Sequence, residues 1–421
     1  VAPTGLTNAA SGIIQYESSV TFNELLVVNR GAFLGTGSSA KLTMTGTRTF
    51  DFEGAGFLSL LSSADWLIQS PVRVLSSSSA GAATVRQCTE AEGCRVSIGT
   101  SGHVTVLTSA SPSVHWQGQV EITGGVLTVE SGLKLMLDNL FLSSASSSLR
   151  GDGEAVVSSE FTWTDGALRD SVLLTLDSAC TGLMAFSATS YMYTSARLVN
   201  KGQATWASGR LLAYQGNEIV NEGTMEVSGT NVEWYKSSVD VASNLPLTNS
   251  ETGTMLINSG ASASFLDFSF TNLGSLVVNG TLRAFETWNS GALQYPDLFL
   301  SQGPIEIFDG GLLRLEMSAR FEHDGPKCLY QDSADSKLEV ATLYGNNWPV
   351  TFECDLLALE YVKVTSSSWL VFDNPTSNTR STVGILETDT SSSVFTGSGD
   401  TVTVTSASLA GNLAGSGLIE V

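Results

Sequence analysis

The sequence predicts an all-β chain wound as a right-handed parallel β-helix. Three observations carry that expectation: short strands of period two, corners that recur at the spacing of a coil, and a surface written in Ser, Thr, Gly and Asn instead of charge. Helical periodicity is nearly absent.

The strands come first. Lys41-Leu-Thr-Met-Thr-Gly, the run from Gln119 to Gly132, and Thr401-Val-Thr-Val-Thr405 alternate polar and apolar residues and then turn. Period-two alternation sends one set of side chains inward and the other to solvent. Charged residues are only 14% of the chain, against roughly 25% in ordinary soluble proteins. Ser and Thr take their place, as they do on the outer face of strands.

Repetition selects the architecture. An Asn, a short gap, a Gly and an alternating strand recur from Asn200, Asn221, Asn249 and Asn272, and in compressed form at Asn279-Gly-Thr-Leu282. Irregular coils of about 21–28 residues suit a three-sided β-helix and are too short for a propeller blade of roughly 40. A second corner, Trp-x-x-Gly-x-Leu, begins at Trp163, Trp206 and Trp288, spaced by roughly two and then four coils. Its glycine is expected at positive φ, where other residues are strained. We expect residues 1–421 to form a single continuous solenoid, with loop excursions near 76–102 and 322–336. The run from Leu409 to Val421 reads as a repeat unit in mid-course, so a longer polypeptide is expected.

Charge narrows the partners. Forty-one acidic residues oppose twenty basic ones, a net charge of −21. A nucleic-acid partner is excluded, because that role needs a basic footprint. Membrane insertion is not expected, since no apolar run approaches the roughly 18 to 20 residues of a spanning helix. Of five cysteines, Cys88 and Cys94 bracket a short loop, and Cys328 and Cys354 are separated by close to one coil. Both pairs are disulfide candidates, with an oxidising compartment as the corollary. Cys180 is left over, either buried and free or available for an intermolecular bond.

The corners Phe161-x-Trp163-x-x-Gly166-x-Leu168 and Asn279-Gly-Thr-Leu282 resemble the repeats of extracellular β-helix proteins, among them bacterial adhesins and the surface proteins of protists and algae. The resemblance covers roughly residues 115–300 well and the rest loosely. It implies an extracellular or cell-surface location, with members acting as adhesins or as building units of appendages.

The same fold hosts pectin-degrading enzymes, whose Asn-Thr-Asp, Asp-Asp, Gly-His-Gly and Arg-x-Lys strings are missing here. Glu222 with Glu226, or Asp309 with Glu316, are carboxylate pairs for glycoside hydrolysis, but nothing singles them out. His103, His115 and His323 lack a nucleophile elbow. No enzyme is expected, no cofactor and no metal. Acidic glycine turns at Gly151–Glu154, Phe308–Gly311 and Gly397–Asp400 fall short of the oxygen count calcium requires and read as simple turns. Trp163, Trp206 and Trp288 are expected in the core, and Trp234, beside Tyr235 and Lys236, as an exposed ring for stacking on glycans. Asn279, in Asn279-Gly-Thr281, begins the one N-glycosylation sequon of the sequence. The expected function is a structural subunit of an extracellular filament or surface appendage, its partners further copies of itself or other surface proteins. A glycan-binding adhesin stalk is the alternative, and a polysaccharide-active β-helix enzyme comes third.

Overall fold

A computed structural model describes residues 113–214, 216–236, 246–267, 269–285, 298–322, 328–341, 349–354, 357–373 and 380–421, with shorter stretches before 113: 5–9, 13–16, 18–23, 26–29, 32–35, 41–45, 50–52, 57–60, 65–69, 71–75, 84–85, 95–100 and 103–107. Every regular element among them is a β-strand, and the pairings are parallel. The protein is an all-β parallel β-solenoid. It divides into two compact units, Val1–Gly202 and Gln203–Val421.

In the first unit each strand pairs with the strand one coil later. Leu135, Ala155, Leu174 and Leu198 share one register column. Leu142, Trp163 and Met184 make a second, and Leu127, Leu149, Leu168 and Met192 a third. All of these side chains are buried. Three inward columns mean three faces per coil, and stacked coils bury one another's apolar residues at the strand spacing of about 4.8 Å. Gly166, in the corner that follows Trp163, has φ +102°, which is why that corner repeats a glycine. Within 76–102, Thr84–Val85 and Arg95–Ile98 are coil strands that pair with Ser113–Ile122. Cys88 and Cys94 lie outside the described residues.

The second unit keeps the same plan. On one face, Glu218–Asn221, Pro246–Asn249, Ser269–Asn272, Leu298–Ser301, Ser318–Phe321, Pro349–Phe352, Trp369–Phe372 and Ser393–Thr396 lie in register. The second and fourth residue of each strand points inward. The fourth-residue column therefore reads Asn221, Asn249, Asn272, Ser301, Phe321, Phe352, Phe372, Thr396. Coil length along it is uneven, shortest from Ser301 to Phe321 and from Phe352 to Phe372, and longest from Phe321 to Phe352. Register survives because the extra residues sit between strands. Of the excursion expected at 322–336, residues 323–327 lie outside the described residues. Leu329–Gln331 is an ordinary coil strand paired with Ile305–Ile307, because Leu329 and Gln331 face inward. Cys328 and Cys354 form a disulfide with Cα atoms 6.1 Å apart.

Candidate functional site

The inward column of the second unit is polar in its first half. Asn221 Nδ2 donates to Asn249 Oδ1 at 2.8 Å and to the Thr254 carbonyl at 2.9 Å. Asn249 repeats this with Asn272 Oδ1 (2.8 Å) and the Ser275 carbonyl (2.9 Å). Asn272 then donates to Ser301 Oγ at 3.0 Å, and Ser301 to the Gly303 carbonyl at 2.9 Å. All four residues are buried. Both amide protons of Asn221 and Asn249 are used, one along the stack and one into the corner of the next coil, so the burial of these amides is offset. From Phe321 the column turns aromatic, with centroids 4.6 Å apart to Phe352 and 5.7 Å from there to Phe372.

Three of the groups weighed for catalysis have partners of their own. Glu316 is buried and clamped by Arg283 Nε at 2.5 Å and Arg314 Nη2 at 2.7 Å. Glu226 accepts from Asn258 Nδ2. His103 Nε2 lies 2.9 Å from Thr128 Oγ1 and 3.1 Å from Arg150 Nη2. Burial and then the Arg150 charge hold the imidazole below its usual pKa, so the arginine donates to a neutral ring. His323 lies outside the described residues. Among the described residues no three His, Cys, Asp or Glu side chains converge as metal ligands. The acidic glycine turns are corners: Gly311 N donates to the Phe308 carbonyl at 2.8 Å, and Asp400 N to that of Gly397 at 3.3 Å.

Two expectations are corrected. Trp234 is not an exposed ring; it is 1% exposed and packs on Trp206 at 5.8 Å. It shares strand parity with Val232, and both face inward. Cys180 is no candidate for an intermolecular bond, since it is free and 1% exposed. Burial, then the charges of Asp177 and Glu160, pushes its thiol up to about 12, far from the thiolate that exchange requires. Trp163 and Trp206 are core residues as expected, with Trp163 edge-on to Phe186 at 5.1 Å; Trp288 lies outside the described residues. Asn279 is half-buried in a turn between two strands, with Oδ1 enclosed and without a hydrogen-bond partner.

One outward feature escaped the sequence reading. Trp369 and Val371 face out from Trp369–Phe372, and Phe395 faces out from Ser393–Thr396 beside Val371. The rings of Trp369 and Phe395 are 5.5 Å apart at 61°. With Asp373, Thr396, Gly397, Gly415 and Ser416 they line a cleft of about 330 Å³. Aligning Trp369-Leu-Val-Phe372 with Pro349-Val-Thr-Phe352 finds it, because first and third residues of these strands point outward.

No protein-family model and no curated protein matches the chain. Among solved structures, the crystal structure of a TibA fragment hyper-glycosylated by TibC is 11% identical, over 99% of this chain and 98% of that one, with a TM-score of 0.20. At that TM-score the likeness carries no argument about this chain.

Proposed function

We propose that the chain is a non-catalytic structural module of an extracellular filament or surface appendage, whose work is done by coils stacking on coils. The observation that carries this reading is the inward column from Asn221 to Phe372. Its side chains are bound to the coil before and the coil after, by amide hydrogen bonds in one stretch and ring stacking in the other. Residues committed to the neighbouring coil suit a body that bears load or spans distance, and any coil set in the same register continues the pattern. The Cys328–Cys354 bond fits an oxidising compartment. A net charge of −21 keeps outer faces apart while leaving end-to-end stacking open.

Negative-stain electron microscopy of the native protein, with and without reductant, tests the proposal. Filaments of uniform width that persist in reductant are expected, because the free Cys180 is buried. Dispersed particles in both conditions overturn it.

A further inference from the structure

Four outward aromatic rings on this molecule carry a cation. Arg169 lies over Tyr193 at 4.4 Å, Arg210 over Tyr235 at 5.6 Å, Arg283 over Phe285 at 4.1 Å and Lys337 over Tyr361 at 5.2 Å. Each cation occupies the negative face of its ring. Among the described residues no cation covers Trp369 or Phe395, and the charged group at their cleft is the exposed carboxylate of Asp373.

The described residues also give the cleft a shape. Two rings inclined at 61° make a two-walled corner. The positions that would fill it are small: Ser393 follows Trp369 in register, Ala414 follows Phe395, and Gly415 follows Thr396. A side chain at Gly397 would collide with the Asp373 carboxylate, and one at Gly415, where φ is +126°, with the Thr396 carbonyl. At about 330 Å³ the space reaches the lower end of small-ligand sites.

We propose that this cleft is a binding subsite for a neutral sugar ring, with Trp369 and Phe395 packing against its C–H face and Asp373 accepting hydrogen bonds from its hydroxyls. The chemistry is matched on both counts. The C–H bonds of a pyranose carry partial positive charge toward the electron-rich ring faces. Vicinal hydroxyls supply the donors a carboxylate accepts in a strong, charge-assisted bond. A phosphate, sulfate or uronate would meet Asp373 and the field of a chain at −21. That same field disfavours a second copy of this chain as the occupant. The proposal goes beyond the structural role and stands independently of whether the protein polymerises.

The test is calorimetric titration of the whole chain with hexasaccharides of β-1,4-linked glucose, xylose and N-acetylglucosamine, and with hexagalacturonate as the anionic probe. One of the neutral probes should bind. Trp369→Ala should weaken it at least about tenfold and Asp373→Ala about fivefold, with unchanged melting curves. If Trp369→Ala melts early, Trp369→Leu decides, since it keeps apolar bulk and removes the π face. The proposal is overturned by no binding of any neutral probe up to about 10 mM, by affinity unchanged in Trp369→Leu, or by tighter binding of hexagalacturonate. Sedimentation showing a self-association that Trp369→Ala abolishes, without sugar binding, overturns it too.

Discussion

Between Asn221 and Ser301 the inward column of the second unit is held by side-chain hydrogen bonds, and between Phe321 and Phe372 the same column is held by stacked rings. The two stretches occupy equivalent positions on equivalent strands, so the contrast isolates the side chain. An amide ladder is directional. Each Asn needs an acceptor in the following coil and a carbonyl at its corner, and a single wrong neighbour leaves two polar groups buried and unpaired. A phenyl stack asks only for apolar bulk, and its cost on interruption is a cavity. The aromatic stretch also carries the longest coil of the column, from Phe321 to Phe352, and that coil is the one spanned by the Cys328–Cys354 bond. A long loop loses more entropy on closing, which the disulfide offsets in the unfolded chain.

The contrast breaks hardest at its apolar end. Phe352→Ala, which opens a gap between Phe321 and Phe372, should cost about 3–5 kcal/mol in a denaturant titration. A loss below about 1 kcal/mol would mean the rings are not close-packed. Asn249→Ala comes next. It removes the acceptor of Asn221 and the donor to Asn272 together, and about 2–4 kcal/mol should be lost. Replacing Asn221 as well should add less than Asn221→Ala costs by itself, because the shared bond is already gone; full additivity would contradict the ladder. Replacing Cys328 and Cys354 by Ser should cost about 3 kcal/mol. Hydrogen exchange should then quicken at Ser318–Phe321 and Pro349–Phe352 before it does at Pro246–Asn249; uniform quickening would deny that the bond serves the aromatic stretch. The smallest expected change is at Cys180, which should resist iodoacetamide in the native protein and react on unfolding. Labelling of the folded protein near neutral pH would contradict its burial.

How much of this was legible in the sequence depends on what period two can decide. Alternation gave the strands, and recurrence of Asn221, Asn249 and Asn272 gave the coil. The recurrence read as a corner, however, and its use as an inward hydrogen-bonded column needs the register that only stacking supplies. Cys328 and Cys354 were legible because their separation approximates one coil. Trp234 was misjudged from its neighbours Tyr235 and Lys236, when its parity with Val232 is what buries it. Cys180 could not be placed by counting, since it follows a turn in which its N–H bonds the Asp177 carbonyl. Trp369-Leu-Val-Phe372 is apolar in both phases, so alternation alone cannot say which ring faces out. That is why the outer cleft stayed hidden while the inner columns did not.

If register between equivalent coils holds this protein together, one coil can be removed without loss of the fold. Deleting residues 250–272 takes out one full period of the column and places Asn249, in the position of Asn272, against Ser301. The expected product is a soluble protein that keeps its β-sheet circular dichroism and unfolds cooperatively, with a melting temperature a few degrees lower. Aggregation or loss of the cooperative transition would contradict that expectation, and would mean that the coils are unique parts and not repeats of one unit.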